Sequence, residues 1–217
     1  MKTIKNVIVL LLTGLSLSHG VAAEFQRNYT ERVQYSENHD PSMVWLADGR
    51  KVTVSFGEVS WEEMDKWAKG RAMSILYTPE NGSWLVDDTT QSKIKILGGL
   101  SRYPIDVLLE RYLKRYNSTQ DMVEGYDAAA NLWKMEATRT QKELDGKLSK
   151  SGKTTLQKAQ QRWSEFCAAE TKVIAEMSDR DGTIWRIVAA ERFMNLQKQR
   201  AQTLMAYLED ADQTTTH

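Results

Sequence analysis

The chain has 217 residues, with 29 basic and 29 acidic side chains and 41% hydrophobic residues. That length suffices for one or two domains with a real core. The balanced charge, even within each half, excludes a polycationic nucleic-acid binder and a strongly acidic lure for basic proteins.

The chain opens like an address. Lys2 and Lys5 precede an apolar run from Val7 to Leu17, and Val21-Ala22-Ala23 is a small-residue cleavage site. The run is about half of what a bilayer crossing needs, and no later run is apolar enough to span. Residues 1–23 are therefore expected to be a cleaved signal peptide, leaving a soluble chain from Glu24 in a bacterial periplasm or outside the cell, with no stable membrane insertion. No cysteine follows the cleavage site, which argues against a lipid anchor. The single cysteine, Cys167, allows no disulfide within the molecule. It is either buried as a small hydrophobe, which its apolar flanks on a helical pattern favour, or available to pair between chains.

Residues 24–120 read as a β-rich domain with short helices. In "MVWLADGRKVTVSF" the pair Asp48-Gly49 lies between two β-rich runs, a hairpin signal. "SWEEMDKWAKG" predicts a short helix capped by Ser60 and Glu63 and stopped at Gly70. "RAMSILYT", "SWLVDD" and "SKIKILGG" predict three more strands, with Pro79 to Gly82 turning between the first two and Gly98-Gly99 ending the last. Pro104 suits the first position of a helix running through Tyr116.

Residues 121–210 read as three helices. Met122, Tyr126, Ala129, Trp133, Ala137, Thr140, Leu144 and Leu148 recur at three- and four-residue steps. Ser149 to Gly152 breaks that pattern, and Thr155 to Met177 resumes it. There Leu156, Ala159, Trp163, Phe166 and Ala169 are expected to share the inward face. "SDRDGT" is a second break, and Trp185, Val188, Phe193, Leu196, Leu204 and Leu208 mark the third helix. Short connections favour antiparallel neighbours. The expected fold class is α+β: a small antiparallel β-rich N-terminal domain followed by an antiparallel three-helix bundle, with residues 211–217 a flexible tail.

Chemistry is sparse. After cleavage only His39 and His217 remain. No Gly-x-Ser-x-Gly elbow, histidine cluster or phosphate-binding glycine loop occurs. Glu62, Glu63 and Asp65 read as a solvated helix face and not as a glycosidase pair. Catalysis is not expected, and no metal or cofactor is implied. Trp133 and Trp163 read as helical core, and most of Trp45, Trp61, Trp67 and Trp84 as strand-domain core. Trp185 differs: it follows the "SDRDGT" turn beside Arg186, a pairing that suits an interface anchor. Alternatively, Trp185 caps the bundle end while Arg186 pairs with Asp179 or Asp181. The candidate partner-binding residues are Arg180, Asp181, Gly182, Trp185 and Arg186.

"LQKAQQRWSEFCAAE" resembles the "LxxAQxxWxxFRxAE" signature of the LprI-like lysozyme-inhibitor family. "TQDMVEGYDAAANLWKMEATRTQKEL" resembles that family's first helix. "DGTIWRIVAAERFMNLQKQRAQTLMAYL" and "YPIDVLLERYL" resemble segments of its two-domain members. Departures are Gly125 and Cys167, where members often carry cysteine and arginine, and Thr138 and Gln141 in place of an Asn-x-x-Tyr. No disulfide from a first-helix cysteine carries over. The resemblance implies an exported non-catalytic protein that inhibits a lysozyme-type peptidoglycan hydrolase. Two other exported roles stay open: an immunity protein that neutralises a toxin delivered to the periplasm by a rival cell, and an envelope scaffold.

Overall fold

The computed structural model describes residues 21, 25–26, 28–40, 42–55, 59–179 and 182–214. The export segment, apart from Val21, lies outside these residues, as do Arg180, Asp181, His217 and the side chains of His39 and Trp61.

The N-terminal part is a closed six-stranded antiparallel barrel in the order β1-β2-β3-β6-β5-β4. Its strands are β1 (Tyr29–Asp40), β2 (Met43–Leu46), β3 (Lys51–Ser55), β4 (Ala72–Thr78), β5 (Gly82–Asp87) and β6 (Lys93–Gly98). The β2–β3 hairpin closes as its sequence implies: Gly49 adopts φ 85° and donates to the Leu46 carbonyl at 3.0 Å. Closure depends on β1, which pairs with β4 through one half and β2 through the other, with register shifts around Glu37. Such irregularities bend a strand enough to serve two neighbours. The sequence reading, whose first β-run begins at Met43, therefore misses the longest strand.

Val33, Tyr35, Val44, Val52, Met73, Ile75, Leu85 and Ile94 fill the barrel. The expected helix ending at Gly70 is a single turn, α1 (Trp61–Met64). Ser60 caps it by accepting from the Glu63 N–H at 3.2 Å. Met64 and Trp67 then turn into the barrel core, Trp67 edge-on to Tyr35. For Trp45 and Trp84 the expected burial fails, while the Trp61 side chain lies outside the described residues. Trp45 and Trp84 are half-buried under Lys51 and Lys93, whose ammonium groups lie 5.8 and 4.9 Å from the ring centres.

Four helices follow: α2 (Pro104–Arg115), α3 (Thr119–Lys147), α4 (Lys150–Ser178) and α5 (Ile184–Thr214). Pro104 opens α2 as expected. Ser118 caps α3 in a capping box with Asp121, and Ser149 caps α4. The helical break is thus only Leu148-Ser149. The α5 helix runs to Thr214 where a frayed tail was expected from Ala211, and Asp212 pairs with Lys147 of α3.

The α3 and α5 helices pack along their length around Trp133, Ala129, Ala201 and Leu204, all fully buried. Tyr29 and Tyr77, cross-strand partners in the barrel, join this same helical core, and Tyr103 touches both cores. Thr53–Glu209 and Lys95–Glu143 add polar links between barrel and helices. By contrast, α4 leans on α5 and scarcely meets α3. It buries only Leu156 and Ile174.

Candidate functional site

The uneven seating of α4 opens a cleft at one end of the helical part. Val123 and Asp127 of α3 form one wall, one helical turn apart. Thr171, Ile174, Ala175 and Ser178 of α4 form another, and Arg186, Ala189, Ala190 and Phe193 of α5 form the third. Asp179, Gly182 and Thr183 of the connecting turn close the end, and the cleft holds about 660 Å³. Small side chains on both α4 and α5 leave the space, and Gly182 turns the chain at φ 111°, which disfavours a side chain there.

The lining is mainly apolar, and Asp127 stands in it with no hydrogen bond or ion pair among the described residues. Burial pushes its carboxyl up to about 6, and the nearby charge of Glu124 adds to the shift. A half-desolvated acceptor in an apolar cleft suits a cation or a strong hydrogen-bond donor arriving from outside. Across the mouth Arg186 is exposed, its guanidinium donating to Gln120 Oε1 at 3.2 Å. The alternative ion pair with Asp179 is not formed among the described residues, and Asp181 lies outside them.

Of the five residues singled out in the sequence, Gly182 and Arg186 line the cleft. Trp185 is half-buried beside them and is not part of the lining, while Arg180 and Asp181 lie outside the described residues. Sequence reasoning missed Asp127 and Phe193 as cleft residues. The available signal was the ridge Val123–Asp127–Ala130, a lone acid at helical spacing among apolar residues beside the main α3 stripe.

The stretch from Leu156 to Glu170 docks α4 onto α5, but along a rotated face. Leu156, Gln160, Trp163 and Cys167 point inward or sit half-buried, whereas Ala159, Phe166 and Ala169, expected inside, are exposed. Arg200 of α5 explains the rotation. It is buried and donates twice to Gln160 Oε1, at 2.9 and 3.1 Å, with its guanidinium 5.8 Å from the Trp163 ring centre. Aligning Gln160 and Trp163 with that cation turns Phe166 outward. Trp163 is therefore half-buried rather than core. Cys167 is also half-buried, with Gln197 Nε2 3.9 Å from its sulfur, and burial raises its thiol.

Elsewhere, Glu62, Glu63 and Asp65 are exposed as expected of a solvated face. Among the described residues no group of three His, Cys, Asp or Glu is placed to hold a metal ion, and no helix is long and apolar enough to cross a membrane.

Residues 113–204 match the family model described as lysozyme inhibitor LprI. No curated protein and no solved structure was found to match the chain.

Proposed function

Because residues 113–204 match the lysozyme inhibitor LprI family model, we propose that the chain is an exported, non-catalytic protein that binds and inhibits a lysozyme-type peptidoglycan hydrolase. The observation that carries the reading beyond the family match is the apolar cleft with a carboxyl at its wall that has no partner among the described residues, and an exposed arginine at its mouth. Hydrolases of this type cut between two carboxyl groups flanking the sugar. A blocker that fills the sugar groove gains most by setting a cation against those carboxylates. Arg186, held by Gln120 at the start of α5, is the group for that role, with Arg180, six residues earlier in the sequence, the second candidate. Asp127 then takes a basic side chain from the groove's rim into the cleft, where desolvation strengthens the pair.

Titrating peptidoglycan hydrolysis by a lysozyme-type enzyme with the protein tests this reading. The double variant Trp185→Ala with Arg186→Ala should weaken inhibition by about thirtyfold, near 2 kcal/mol, the hot-spot scale. If Trp185 only caps the bundle end, the melting temperature falls and affinity follows it down. Unchanged affinity in a folded double variant removes this turn from the interface.

A further inference from the structure

The α4 helix has two apolar stripes and uses one of them. The inward stripe meets α5. The second, about 100° around the helix, runs through Phe166, Ala169, Val173 and Met177, of which Phe166, Val173 and Met177 are 46%, 48% and 43% exposed. Beside it a groove of about 330 Å³ lies between α4 and α5, with Leu196 on its far side and Glu170 and Arg192 among its lining.

The charges on α4 are sorted along its length. Lys150, Lys153, Lys158 and Arg162 occupy the first half with no acidic residue, while Glu165, Glu170, Glu176 and the capping Asp179 occupy the second against Lys172 alone. This order opposes the helix dipole, which favours acids near the N-terminus and bases near the C-terminus. The arrangement works against the isolated helix, so its benefit must come from what packs against it.

We infer that this face binds a second copy of the same chain, with the two α4 helices antiparallel. A two-fold axis near Ala169 sets Phe166 of one copy beside Val173 of the other and brings Arg162 close to Glu176. It also lays each basic half along the other copy's acidic half. A parallel pair would set like charges together. Self-complementarity under a two-fold axis is the requirement of an isologous interface. Glu165 bonds its own Arg162 at 3.0 Å in the single chain, and in the pair it comes level with Lys172 of the other copy. The cleft lies on the opposite side of the α4–α5 contact, lined by Thr171, Ala175 and Ser178, so it stays open. The dimer presents two clefts and does not depend on what they bind.

Light scattering and sedimentation of the full chain test the inference. At about 100 µM, well above a micromolar dissociation constant, the expected species is a dimer. Phe166→Asp should raise the dissociation constant at least about tenfold. Because Phe166 is about half exposed and outside the buried core, the fold should be retained. Arg162→Glu should also weaken the dimer, and adding Glu176→Arg to it should restore association by exchanging the charges. With Cys167→Ser in the background, Ala169→Cys should form an interchain disulfide across the axis. A monomer at that concentration, or a dimer indifferent to both Phe166→Asp and the charge exchange, overturns the proposal.

Discussion

At the residue scale, Gly125 and Asp127 carry different lessons from the same turn of α3. Glycine inside a helix costs about 1 kcal/mol against alanine, so propensity alone argues for replacing Gly125. The packing argues otherwise. A Cβ built there would sit 2.7 and 2.8 Å from two Tyr112 ring carbons, and that ring is buried against Phe25 and Tyr116. Gly125→Ala should therefore destabilise the protein by about 1–3 kcal/mol, the scale of core overpacking, read as a lower melting temperature. A rise would show that Tyr112 moves aside freely.

Asp127 titrates near 6 in the folded chain against 3.8 for the ordinary group, because burial and then Glu124 disfavour its charge. A raised folded pKa means its stabilising contribution is fully present below the unfolded value and is lost as pH rises through about 6. A two-unit shift corresponds to roughly 3 kcal/mol, reduced to about 1–2 kcal/mol because the side chain is partly exposed. Asp127→Asn should then be the more stable protein at about pH 7 and match the parent below about pH 4. Urea unfolding at both pH values checks this, and a pH-independent difference would refute it. If the cleft takes a basic side chain, the same variant should bind its partner less well despite its stability.

At the scale of elements, the β5–β6 turn shows a carboxylate with the opposite sign. Asp87 ends β5 at 1% exposure and accepts from Arg71 Nε, Thr89 N and Thr90 Oγ1, each at 2.8 Å. Burial draws its pKa upward, but the guanidinium and the turn donors outweigh it and hold the carboxyl below its usual range. Its contribution is present above the unfolded value and is lost as pH falls through the folded one. Asp87→Ala strips Arg71 of its partner and the turn of its acceptor, and should cost about 3 kcal/mol. A parent-like urea midpoint would show the turn is held by other means. The Asp48-Gly49 hairpin and the Pro79–Gly82 turn were legible because their signals are local. The β1 strand was not: Tyr29, Val33 and Tyr35 mark its buried side, but polar residues fill the rest of YTERVQYSENHD, and only closure of the barrel commits it to twelve residues of strand. The face of α4 was misjudged by 60–100° for a similar reason, since Arg200, forty residues from Gln160, selects which stripe faces inward.

At the scale of the whole molecule, the N-terminus bears on both export and packing. A mature chain starting at Glu24 keeps Phe25, whose ring lies 5.5 Å from that of Tyr112, and loses Val21 from the helical core. Mass measurement of the protein recovered from cell fractions should show a start at Glu24; an uncleaved cytoplasmic product would exclude export. By itself, the sequence was enough for the α+β class, the order of strands before helices, the three long helices, the α3 stripe from Ala129 to Leu144 and the likeness of residues 113–204 to the lysozyme inhibitor LprI family model. All of these rest on periodicity, caps and motifs within a few residues of one another. Tertiary structure decided the closure of the barrel and the shared core through Tyr29, Tyr77 and Trp133. It also decided the tilt of α4 away from α3 and, with it, both the cleft at Asp127 and the uncovered stripe at Phe166. Each depends on which apolar surface finds a partner across the fold, and a helix with two apolar stripes does not say which one that will be.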